Sequence, residues 1–118
     1  MYVIFNEEHR ITGVVRDLVN EDIFTSMGYY DIPAAEYLKT HSKGEKLISE
    51  IFEDAQFYHE FYSDGNDIVV EIEWGDWKHD HMFCDDLMML AGYKRKSETV
   101  TEENNSDCYS AIRRYAKA

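Results

Sequence analysis

The chain has 118 residues, enough for one ordinary domain, which excludes a multi-domain enzyme and predicts a single domain over 1–118. Hydrophobic residues make up 44% and aromatics 14% of it, so a core can form and intrinsic disorder is excluded. Against 12 Lys and Arg stand 24 Asp and Glu, a formal net charge of -12. Such a surface repels phosphates, which excludes unaided nucleic-acid binding.

No apolar run approaches the roughly 18 residues that a membrane span needs. Met1–Phe5 is apolar but lacks the basic flank and the small-residue cleavage pattern of an export signal. A soluble, cytoplasmic protein is expected, with no membrane partner and with Cys84 and Cys108 as reduced thiols.

In chain order, Ile11, Val14, Val15 and Leu18 recur at helical spacing and predict a helix over 6–19, although Gly13 weakens it. Met1–Phe5 reads as a short strand or as the lead-in to that helix. Residues 26–33 form a turn region, with Pro33 opening a short helix that runs to about Thr40. Over 45–62, Leu47, Ile48, Ile51, Ala55, Tyr58 and Tyr62 fall on one arc of a helical wheel, about 100° wide. Glu50, Glu53, Asp54 and Glu60 lie off that arc, and Phe57 and Phe61 form an i, i+4 pair among them.

Ser63-Asp64-Gly65-Asn66 is a turn signal. In the next stretch Ile68, Val70, Ile72 and Trp74 alternate with Val69, Glu71 and Glu73, a strand with one buried and one acidic face. Asp76 suits the cap of a helix over 77–91 that Gly92 ends. Residues 93–115 read as a hairpin, with a helix from 107 as the competing reading. The fold class expected is therefore α+β: a helical N-terminal half, then a β-α-β-β unit forming a small, mainly antiparallel sheet.

The charge is unevenly spread. Residues 45–90 carry 13 acids and 2 bases, whereas 91–118 carry 4 acids and 6 bases. The basic residues form two groups, Lys94-Arg95-Lys96 and Arg113-Arg114-Lys117. They are expected either to balance the acidic middle, inside the chain or between the subunits of a homodimer, or to form a contact for an acidic partner.

Two functional readings follow. In the first, the protein is a non-enzymatic acidic interaction module that docks on a basic protein surface. It would act as a nucleic-acid mimic inhibiting a DNA- or RNA-binding enzyme, in the manner of anti-defence proteins of phages and mobile elements, and would need no cofactor. Carboxylates one helical turn apart are separated by about 5–6 Å, similar to successive phosphates. Glu50, Glu53, Asp54, Glu60, Glu71 and Glu73 would supply the charge, with Phe57 and Phe61 as aromatic anchors.

In the second, the segment Asp76-Trp77-Lys78-His79-Asp80-His81 centres a small metal-dependent hydrolase or metal-binding protein. His81 and Asp85 stand one helical turn apart, so that Asp76, His79, His81 and Asp85 would hold Zn or Mn. Asp67 followed by Asp76-Trp77-Lys78 resembles the acid and acid-x-Lys pattern of restriction-type nucleases, which implies Mg²⁺ chemistry on phosphodiesters. The acidic middle opposes such a substrate. There is no phosphate loop, serine elbow or CxxC pair, and nothing in the sequence obliges an enzyme.

Overall fold

The structure, a computed structural model, describes residues 1–17, 28–57, 59–74, 80–103 and 109–118, with side chains except at 73, 74, 80–82, 102, 103 and 109. The chain divides into two compact units, Met1–Phe57 and Tyr58–Ala118. Among the described residues strands predominate over helices. The expected helical N-terminal half is overturned, because the chain begins with strands.

In the first unit β1 (Tyr2–Phe5) lies between β2 (Ile11–Val15) and β3 (Tyr30–Pro33), antiparallel to both. A hairpin thus replaces the helix expected over 6–19. Ile11, Val14 and Val15 do have helical spacing, but all three are β-branched and favour a pleated surface. The turn carries the decisive interactions. The Asn6 side-chain carbonyl accepts the Glu8 and Arg10 amides at 2.9 and 3.0 Å, and His9 adopts the left-handed conformation at φ 65. An Asx turn of this kind competes directly with a helical start.

Val3, Ile4 and Phe5 are all buried, so both faces of β1 are covered. Pro33 precedes α1 (Ala34–Lys39), and the Ala34 amide donates to the Met1 carbonyl at 2.9 Å. A further helix, α2 (Glu45–Asp54), buries Leu47, Ile48, Ile51 and Phe52.

The helix expected over 45–62 stops at Asp54. Gln56 takes φ 53, the Phe57 amide donates to the Phe52 carbonyl at 2.7 Å, and the Gln56 amide donates to Glu53 at 3.1 Å. These two bonds and the Phe52–Phe57 ring contact, 4.9 Å between centroids, make a Schellman terminator. Glycine usually occupies the left-handed position, and glutamine gives no such punctuation. Ala55 and Tyr62 therefore leave the helical stripe, and Phe57 becomes core.

The second unit is a four-stranded antiparallel sheet in the order β4-β5-β7-β6. Its elements are β4 (Glu60–Asp64), β5 (Asp67–Trp74), α3 (Asp80–Leu90), β6 (Tyr93–Glu103) and β7 (Tyr109–Lys117). A tight turn with Gly65 at φ 64 joins β4 to β5, and Gly92 at φ 91 ends α3. Residues 93–103 and 109–117 pair antiparallel, as expected of a hairpin's two strands. Cys84, Leu87 and Met88 on α3 are fully buried, as are Val70 on β5 and Tyr115 on β7. Tyr115 and Arg113 bond Cys84 and Asp85, which places α3 on the face of the sheet that carries Ile68, Val70, Ile72, Ala111, Arg113 and Tyr115.

Candidate interaction surface

Along β7, Ala111, Arg113 and Tyr115 are buried and alternate with Ile112 and Arg114, so a cation sits in the apolar row beneath α3. Arg113 is 1% exposed. Its Nη1 donates to Asp85 Oδ1 at 3.3 Å, and its Nε donates to Glu98 of β6. Tyr115 donates its hydroxyl to Asp85 Oδ1 at 2.7 Å and contacts Cys84 Sγ at 3.3 Å. Burial opposes the Arg113 charge, yet hydrogen bonds with Tyr115 and Glu98 and the field of Asp85 hold the guanidinium more firmly protonated than usual. Burial likewise pushes the Cys84 thiol up to about 11 and the Tyr115 hydroxyl above its ordinary range.

Three further strand cations of this unit, Arg114, Lys96 and Arg95, are also engaged. Arg114 reaches Asp64 at 2.6 Å and Asp67 at 3.2 Å, Lys96 reaches Asp67 at 3.2 Å, and Arg95 lies 3.6 Å from Asp85 and 3.5 Å from Glu98. Both basic groups read from the sequence thus contribute ion pairs within the chain, through Arg95 and Lys96 in one and Arg113 and Arg114 in the other. Arg114 first, then Lys96, hold the Asp67 carboxyl below the usual carboxylate range. Asp86 moves the opposite way, raised by burial and by the neighbouring charge of Asp85.

These two aspartates give opposite pH effects. Asp67 has its folded-state pKa depressed, so its stabilisation is present above the unfolded carboxylate value and is lost as pH falls through the folded one. Asp86 has its folded-state pKa raised, so its ionisation costs stability as pH rises through the unfolded and then the folded value. Asp67→Asn is expected to lower Tm at neutral pH, and Asp86→Asn to raise it, with both differences fading as pH drops below the carboxylate range. Thermal melts followed by circular dichroism across that range check both signs.

The residues read from the sequence as a partner surface divide between the units. In the first, the Glu50 carboxylate accepts the Ser42 amide at 3.0 Å and the Ser42 hydroxyl at 2.7 Å, and these bonds hold its pKa down. Asp54 accepts the Tyr37 hydroxyl at 2.5 Å and faces His41 Nε2 at 3.0 Å. Burial, and then Asp54, raise the Tyr37 hydroxyl pKa. Glu50 and Asp54 therefore clip the end of α1 to α2. Glu53 is exposed, and its backbone carbonyl accepts Arg10 at 3.2 Å. Phe57 is 9% exposed and packs inward, so it presents no ring to a partner.

In the second unit Glu60 and Glu71 stand directly opposite each other on β4 and β5, and both are exposed. Alternation along the strands sets them on the face away from α3, with Tyr62, Ile112 and Arg114. Tyr62 is 49% and Ile112 39% exposed. Like charges directly across a ladder destabilise a sheet, and among the described residues neither Glu60 nor Glu71 has an ion-pair partner. Phe61, on the opposite face, is half-buried. Glu73 is paired with Ser110 in the same sheet.

Of the candidate metal ligands, Asp76 and His79 lie outside the described residues, as does the side chain of His81. Asp85 is described, and its carboxylate already meets Arg113, Tyr115 and Arg95. Among the described residues no group of three or more His, Cys, Asp or Glu is placed to hold a metal ion, and no helix is long and apolar enough to cross a membrane.

The sequence reading missed the Arg113 and Tyr37-His41-Asp54 clusters. Arg113 had a visible signal, since it shares the period-two row of Ala111 and Tyr115. The Tyr37-His41-Asp54 cluster had none, because Asp54 arrives from a separate helix. Compared with protein-family models, curated proteins and solved structures, the chain has no match.

Proposed function

We propose that this protein is a non-enzymatic interaction module that presents an acidic sheet face to a basic protein surface in the cytoplasm, mimicking a nucleic acid toward an enzyme that binds one. The observation that carries this reading is the exposed Glu60–Glu71 pair beside Tyr62 and Ile112. Folding does not reward that like-charge pair, while Asp64, Asp67, Asp85 and Glu98 are compensated by the unit's own arginines and Lys96. A partner's Lys or Arg would relieve the pair, and the tyrosine and isoleucine offer apolar area beside it. The acidic surface is narrower than the sequence suggests, since Glu50 and Asp54 serve the first unit's own packing.

The test is affinity capture from a bacterial lysate at low salt, using the wild type, Glu60→Lys/Glu71→Lys, and Glu36→Lys as an exposed control on α1. A basic nucleic-acid-binding protein held by the wild type and the control, lost by the double variant and released by added DNA duplex, supports the reading. Equal capture by all three baits contradicts it.

A further inference from the structure

The outer strands of the second unit's sheet are β4 and β6, and β6, at 11 residues, is the longest strand described. One side of β6 is hydrogen-bonded to β7, and no described strand pairs with its other side. An edge of this length is a template for another strand unless the chain blunts it. Its bases stand at the start, Lys94, Arg95 and Lys96, and Glu102 and Glu103 at the end, while Glu98 between them is engaged by Arg113. Between them Thr99, Val100 and Thr101 are β-branched and exposed, Val100 by 44%.

We propose that β6 pairs antiparallel with β6 of a second copy of the chain, joining two four-stranded sheets about a two-fold axis centred on Thr99. This interface is independent of the Glu60–Glu71 face. A two-fold axis perpendicular to a sheet returns every position to its own face, so complementary residues must occupy equivalent rows. Centring on Thr99 sets Arg95 against Glu103 and Lys96 against Glu102, each twice by symmetry, with Thr99 meeting its own copy.

The register supports this centre. The strand has two irregularities, at Arg95/Ser97 and Val100/Glu102, one on each side of Thr99. Each side of Thr99 thus holds one extra residue, Lys96 or Thr101, so Arg95 and Glu103 still fall in one row after rotation. Arg95 and Glu103 pair with Tyr115 and Tyr109, in one row of β7, while Glu102 pairs with Ser110 in the other. Lys96, the extra residue of its bulge, reaches Asp67, which belongs to that second row across β5. Bulges and edge lysines ordinarily repel other strands. In this arrangement they discriminate among them: a parallel copy would set Lys beside Lys and Glu beside Glu, and only the antiparallel copy is complementary.

Two copies of net charge -12 also repel at a distance, so charge exchange separates the contact from that background better than salt does. The experiment is sedimentation analysis of the full chain over a range of concentrations. The wild type is expected to reach twice the mass of one chain. Arg95→Glu/Lys96→Glu and Glu102→Lys/Glu103→Lys are each expected to lose the dimer, since each makes the strand repel itself, and an equimolar mixture of the two is expected to recover it. Because Arg95 also touches Asp85 and Glu98, circular dichroism checks that the first variant folds. If it does not, Lys96→Glu mixed with Glu102→Lys decides in its place. A wild type that stays monomeric, a dimer that survives in each variant alone, or a mixture of folded variants that stays monomeric overturns the proposal.

Discussion

Replacing Arg113 with alanine is expected to destabilise the second unit by about 3 kcal/mol, near the low end of what breaking a buried ion pair costs. Arg113 is among the largest fully buried side chains described, and its guanidinium bridges α3 to β6 through Asp85 and Glu98. Its loss leaves the two carboxylates to the more exposed Arg95 and opens a cavity beneath the helix. The side chains of Asp85 and Glu98 remain 35% and 24% exposed, so water solvates part of the freed charge, which keeps the effect from the upper end. A second variant separates charge from volume. Arg113→Met combined with Asp85→Asn and Glu98→Gln removes the uncompensated charges while filling the space, and is expected to recover most of the loss. Urea unfolding checks both, through a shift in midpoint at constant slope.

Phe57→Ala is expected to cost the first unit a similar amount, about 3–4 kcal/mol. Phe57 packs its ring against Phe52 and supplies the amide that closes the end of α2. Truncation removes buried aromatic area together with the apolar contact that accompanies a Schellman terminator. The outcome also separates two roles for this ring. A surface anchor would leave stability unchanged and weaken partner capture, whereas a core residue lowers the urea midpoint. Leu47 and Ile51 are expected to retain their packing on α2, so the far-ultraviolet spectrum below the transition should change little.

What could be read in the sequence, and what could not, divides along physical lines. The Asp67–Trp74 strand and the turn before it were legible because period-two alternation and an Asp-Gly-Asn cluster agree with each other. The stop at Gly92 was legible because glycine is the usual left-handed terminator. The stop at Gln56 and the hairpin turn at His9 were not, since neither carries glycine at its positive-φ position. In the N-terminal region helical spacing competed with β-branched composition, and pairing of β1 with both β2 and β3 decided the matter. That pairing depends on residues far apart in the chain, which no local window contains.

The candidate surface was legible only in part for the same reason. Composition located the acidic excess between residues 45 and 90, but it could not separate carboxylates that are compensated from those that are not. That distinction needs the register of β4, β5 and β7, which delivers Arg114 to Asp64 and Asp67 and leaves Glu60 opposite Glu71. It also needs α1, the segment that follows it and α2, which engage Glu50 and Asp54 with Ser42, Tyr37 and His41. A confined acidic segment thus resolves into a compensated set and a small exposed remainder.

The affinity of the captured basic partner for the wild type and for Glu60→Lys/Glu71→Lys, measured at low and at raised ionic strength, tests that division most directly. A loss of about tenfold or more at low salt, shrinking as salt rises, is the result expected of an uncompensated face that meets a basic surface. Equal affinities for the two proteins at both salts would contradict it.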